Sequence, residues 1–165
     1  MSPEPLAFEN VLESCWPRVY QVALRMTGRV SEAEEVAQQT FFLAWERFEG
    51  KARPETWIFR IAVNACQKHL MEKRRRGGDS LDSHALAVHP GDPLVAREQQ
   101  EQVARAMEVI SPAHRLVLTL FCIDGLTHRE IAEILDCPEG TVWSRLYHAK
   151  KALQEKLEAG KGVAS

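Results

Sequence analysis

Apolar side chains recur every three to four residues along almost the whole chain, and no alternating apolar and polar stretch is long enough for a sheet, so the pattern predicts an all-α protein. A first helix is expected from about Pro5 to Met26, stopping at Thr27-Gly28, with Phe8, Val11, Leu12, Val19, Val22, Ala23 and Met26 on its buried stripe. Ser31 followed by Glu34 reads as a capping box that opens a second helix. That helix should end near Phe48 and turn Val36, Ala37, Phe41, Ala44 and Trp45 inward. Residues Glu49 to Arg53 read as a loop, and Pro54 suits the first turn of a third helix, about Glu55 to Arg75, because its missing N–H costs nothing there. Ile58, Ile61, Ala62, Ala65 and Leu70 form its expected core side. Arg60, Asn64 and Lys68, four residues apart, share another face with their polar heads outward.

Gly77-Gly78 ends that helix. From Asp79 to Pro93 the chain loses periodicity and collects Gly, Pro, Asp, Ser and His, which predicts a flexible linker between two small helical domains, about 1–76 and 95–160, with 77–94 between them. After it a helix is expected over Leu94 to Val109, and another from Ser111-Pro112, with Ser as cap. Thr127-His-Arg-Glu130 is a second capping box. Ile131, Ala132, Ile134 and Leu135 follow it, Asp136 to Gly140 breaks the helix, and Thr141 to about Leu157 forms the next. Two helices joined by a turn of that length predict a helix-turn-helix, whose second member suits a major groove.

Charge sharpens this picture. The net formal charge of -2 hides a basic block: residues 51–78 hold 8 basic and 2 acidic side chains, whereas 1–50 hold 4 and 8. Near the end, 124–139 hold 1 basic and 5 acidic, and 140–165 hold 5 and 2. Such polarity suits a protein that meets phosphate at two places and avoids general adhesion. Cys15, Cys66, Cys122 and Cys137 form no CxxC pair and read as reduced packing thiols; the Cys66/His69 spacing reads first as packing. With no membrane-length apolar run and no export signal at the N-terminus, the cytoplasm is the expected location.

The residues themselves point to a family. Gly140-Thr-Val-Trp-Ser-Arg-Leu-Tyr-His-Ala-Lys150, preceded by Leu126 to Leu135, resembles the helix-turn-helix of region four in sigma factors. Ser31 to Trp45 resembles their core-binding region two helix, and Thr56-Trp-Ile-Phe-Arg-Ile-Ala-Val-Asn64 their promoter-melting helix. Together these cover roughly 5–76 and 95–157, and the chain is identified as resembling an extracytoplasmic-function sigma factor. The resemblance implies a non-enzymatic subunit that directs core RNA polymerase to promoters, with no cofactor of its own. Its expected partners are the polymerase β′ clamp and β flap, promoter DNA, and an anti-sigma factor that could hold it at the inner membrane.

Residue by residue, the resemblance puts Lys51, Arg53, Trp57, Arg60, Asn64 and Lys68 at the minus-ten element, and Trp143, Ser144, Arg145, Tyr147, His148 and Lys151 at the minus-thirty-five element. Lys73, Arg74, Arg75 and Arg76 could neutralise phosphates, or simply solvate a helix end. Glu35, Gln38, Gln39 and Phe42 would meet the polymerase. Trp57 could stack on a base or belong to the core, and the Asn64 amide could read a base or cap the backbone. The chain departs from the common pattern in Glu35-Val-Ala-Gln-Gln39, in Lys68, and in Trp143, where a basic residue is usual. The two domains are expected to be held apart by the linker. The rival readings are a polymerase-independent helix-turn-helix regulator and a helical protein-binding adaptor.

Overall fold

The computed structural model describes residues 5–50, 53–77 and 95–162, with side chains from Ala7 in the first stretch and from Arg97 in the last. Lys51 and the expected linker from Asp79 to Pro93 lie outside these residues.

Helix α1 (Pro5–Thr27) ends where the buried Thr27 hydroxyl donates to the Ala23 carbonyl at 2.8 Å and Gly28 takes φ 76°, a left-handed turn that a Cβ would strain. That sharp turn lets α2 (Val30–Arg47) begin two residues earlier than expected, with Arg29 as its N-cap. Ser31 therefore falls inside the first turn, and the Ser31–Glu34 capping box does not form. Glu32 stands in the first turn instead, where a carboxylate favours the helix dipole. Helix α3 (Pro54–Arg75) starts on its proline, as expected.

These three helices pack on one another around Phe8, Cys15, Val19, Ala37, Ala44, Ile58 and Ala62, while Val22, Ala23, Met26 and Val36 of the expected stripes join a second apolar cluster. Trp45 is the exception among the expected stripes. Phe48, one turn further on, stacks on Phe8 with ring centroids 4.6 Å apart and takes the inner place, leaving Trp45 52% exposed. A carboxylate ties α2 to α3 from outside: Glu32 accepts from Lys73 Nζ at 3.2 Å and meets His69 Nε2 at 3.1 Å. Burial opposes its ionisation, but the hydrogen bonds from His69 and Lys73 outweigh that and hold the carboxyl below its usual range.

The second half is built from α4 (Val95–Val109), α5 (Pro112–Leu118), a π-helical turn (Thr119–Ile123), α6 (His128–Leu135) and α7 (Glu139–Gly162). Ser111 caps α5 as expected, accepting from the His114 amide at 3.3 Å. Buried Arg115 closes the end of α4 by donating to the carbonyls of Met107, Glu108 and Ile110, groups that no intrahelical amide can reach. The π turn is marked by the Asp124 amide donating to the Thr119 carbonyl, five residues back, at 3.1 Å.

The Thr127 capping box is complete: the Thr127 hydroxyl accepts from the Glu130 amide at 3.2 Å, and the Glu130 carboxylate accepts from the Thr127 amide at 2.8 Å. Asp136 then adopts a left-handed conformation, φ 50°, that turns the chain into α7. Helix α7 begins two residues before the expected Thr141 and runs on past Leu157.

The two halves touch, which corrects the expectation that they stand apart. Helix α3 packs on α6, and α1 on α5. The reason lies in a second apolar face of α3, made by Phe59, Val63 and Cys66 and unrecognised in the sequence, which joins the cluster containing Leu116, Leu120, Ile131 and Val142 of the other half. Around that seam Arg18 donates to the Asp124 carbonyl at 3.4 Å and lies over the Phe59 ring, and Arg60 donates to the Glu133 carbonyl. The Asp124 side chain is only 5% exposed; burial raises its carboxyl pKa to about 6 despite Arg18 and Arg25 nearby.

Candidate nucleic-acid interface

At about 100° per residue, α7 turns Val142, Leu146 and Ala149 inward and leaves a continuous outer arc. Trp143 opens that arc on the α6 side, Tyr147, Lys151, Ser144 and His148 fill it, and Arg145 closes it on the α5 side. All six side chains are exposed. Ser144, Arg145, His148 and Lys151 line one shallow groove with His114 of α5, a histidine absent from the sequence reading. The arc offers hydroxyl, imidazole and ammonium groups that match base edges and phosphates, and its first turn is free to enter a groove.

Trp143 is held differently from the rest. Its ring lies flat on His128, with centroids 3.6 Å apart and planes 6° apart, and His128 in turn leans on Phe121 at 4.9 Å. Lys150 Nζ sits over the Phe121 ring at 4.9 Å. The capping box explains why His128 is there: it fixes the start of α6, and so the first helical residue, against the π turn that carries Phe121. Arg129, next along, projects outward and pairs with Glu133 at 3.5 Å.

On the first domain, Arg53, Asn64 and Lys68 are exposed, while Arg60 is half-buried by its bond to α6. Trp57 is half-buried against the cluster around Ile58 and Phe8. The basic run at the end of α3 is divided: Arg74, Arg75 and Arg76 are exposed, whereas Lys73 is turned to Glu32. Glu35, Gln38, Gln39 and Phe42 form one exposed stripe along α2, on which Phe42 is 66% exposed and Trp45 extends the line by a turn. Sequence reasoning put Trp45 inside; its spacing of i+3 from Phe42 was the available signal that it continues the outer stripe.

Among the described residues, no group of three or more His, Cys, Asp or Glu could hold a metal ion, and no helix is long and apolar enough to cross a membrane. Cys66 is fully buried, which pushes its thiol up to about 12, and His69 turns to Glu32, so the C-x-x-H spacing is packing.

The Sigma-70 region 2 family matches residues 11–76, and the Sigma-70 region 4 family matches residues 100–153. The ECF RNA polymerase sigma factor SigW of Bacillus subtilis is 30% identical over 166 residues, which cover 92% of this chain and 89% of that protein. The ECF RNA polymerase sigma-E factor of Salmonella typhimurium is 32% identical over 143 residues, covering 77% and 74%. Among solved structures, the sigma factor RpoE in complex with the anti-sigma factor NepR from Bartonella quintana matches with a TM-score of 0.72 at 25% identity, over 92% of this chain and 97% of that one. CnrH in complex with the cytosolic domain of CnrY shares the fold at a TM-score of 0.69 and 22% identity, over 96% and 92%. Two helical modules, one carrying a helix-turn-helix, thus define a sigma-70 type transcription initiation factor. Within that class the chain belongs to the extracytoplasmic-function (ECF) sigma factors, which direct RNA polymerase to promoters. It is a specificity subunit and not a stand-alone regulator.

Proposed function

We propose that the first domain, about 1–76, docks on the β′ clamp of core RNA polymerase through Glu35, Gln38, Gln39 and Phe42, and captures the minus-ten element as the duplex opens. Lys51 and Arg53 hold the separated strand, Asn64 and Lys68 face its bases and backbone, Arg60 joins them once released from α6, and Arg74 to Arg76 neutralise nearby phosphates. Trp57 supports that loop from its half-buried place. The second domain, about 95–160, lies against the β flap and reads the minus-thirty-five element with the outer arc of α7, Arg145 and Lys151 taking phosphates and the others base edges. An anti-sigma factor covers the polymerase-binding stripe until the subunit is needed, and could hold it at the membrane; a relative seen with such a partner supports this.

The observation that carries the reading is the exposed arc of α7 on the same chain as the exposed stripe of α2. Run-off transcription with purified core polymerase and a promoter library tests it. Initiation should require this protein and drop at least tenfold for Asn64→Ala or Ser144→Ala, each with unchanged thermal stability. Initiation that is unchanged in both variants would overturn the assignment of these residues to the two promoter elements.

A further inference from the structure

Trp143 puts a flat indole on the outer arc of α7, and the stack beneath it decides what the site can do. A long cation at this place would reach phosphate or a guanine edge with many rotamers; a flat indole can do neither well. One face of the ring is occupied by His128 at 3.6 Å, and His128 is itself backed by Phe121. The residue is nevertheless 58% exposed, so the opposite face is presented to whatever docks on the first turn of α7. The major groove displays one apolar group, the C5 methyl of thymine, and a fixed apolar plate is its natural partner. Resting on the promoter-reading role given to α7 above, we propose that Trp143 selects a thymine in the minus-thirty-five element by packing on its methyl group, with His128 as the positioning residue that sets the plate.

The stack makes this selection sharp, because the indole cannot swing away to accept cytosine without separating from His128. The ordering cost is met when the domain folds and not when DNA binds, which is the advantage of a preorganised contact. Three features of the chain converge on this point: the completed Thr127 cap fixes His128 at the start of α6, the π turn brings Phe121 behind it, and α7 leaves Trp143 exposed in its second turn.

The test uses holoenzyme made from the full chain and core polymerase, on the promoter duplex that in vitro selection with that holoenzyme yields. Each thymine of the minus-thirty-five element is replaced in turn by uracil, which removes the methyl and leaves every hydrogen-bonding edge unchanged. Burial of one methyl predicts a loss of affinity of about threefold to fivefold at one thymine. That loss should vanish in Trp143→Ala and shrink in His128→Ala, and return in His128→Phe, which restores a flat ring under the indole. A merely structural histidine would lower affinity for thymine and uracil duplexes alike and leave their ratio intact. No uracil-sensitive position in the wild-type holoenzyme, or full sensitivity retained in His128→Ala, overturns the proposal while promoter reading stands. Failure to select any promoter overturns both, and appears before any uracil is introduced.

Discussion

The guanidinium of Arg60 donates to the main-chain carbonyl of Glu133, so a side chain of α3 is fastened to the helix-turn-helix. The two promoter elements whose names place them about 25 base pairs apart are separated by about 85 Å of duplex at 3.4 Å per step. Domains in contact across α3 and α6 cannot grip both. On the proposed assignment of one domain to each element, the protein should open along that seam when it joins polymerase and DNA. Small-angle scattering of the free chain should give a compact particle, and fluorescent labels on α2 and α7 should separate by tens of ångströms in the holoenzyme. Arg18→Ala with Arg60→Ala should increase the dimensions of the free chain toward the open form; an unchanged particle would show that apolar contacts alone hold it.

Asp124 gives that seam a pH dependence with a definite sign. Its folded pKa is raised to about 6 from an ordinary 3.8, so between those values the folded chain keeps a proton that the unfolded chain has lost. Its contribution to stability is full below about pH 4 and lost as pH rises through about 6. Going from pH 7 to pH 5 should stabilise the protein by about 1 kcal/mol through this group, and Asp124→Asn should remove that increment. Thermal unfolding of both chains across pH 5 to 7 checks it.

Glu32 acts in the opposite direction. Its folded pKa is lowered, so its stabilisation is present above the unfolded value near 4.5 and is lost as acid protonates it. Glu32→Ala leaves Lys73 and His69 without their shared acceptor between α2 and α3, and should cost about 2 kcal/mol, read by urea unfolding at neutral pH. Lys73, freed by the change, should then add to the salt dependence of DNA binding.

The all-α class, the order of helices and both proline starts were legible because they depend on local chemistry: periodicity, capping groups and the fixed φ of proline. The Thr127 box was read correctly and the Ser31 box was not, since the left-handed Gly28 started α2 early, a backbone choice that the motif itself does not reveal. Phe59, Val63 and Cys66 were missed for another reason. A helix with two apolar faces blurs its own periodicity, and only the docking of α6 says why both faces exist. The arc of α7 was readable as a motif, but the His128 ring under Trp143 joins residues from different helices and had no sequence signal.

Removing the Thr127 cap should expose how far the reading surface depends on α6. Thr127→Ala should cost about 1 kcal/mol of stability and weaken promoter binding, while Thr127→Ser should leave both nearly unchanged. Calorimetry together with holoenzyme binding separates the two effects.

The seam described above is closed chiefly by hydrocarbon, with Phe59, Val63 and Cys66 of α3 lying in one cluster with Ile131 of α6. Attraction of that kind weakens as water cools. Chilling should therefore loosen the seam between the two halves of the free subunit without any ligand.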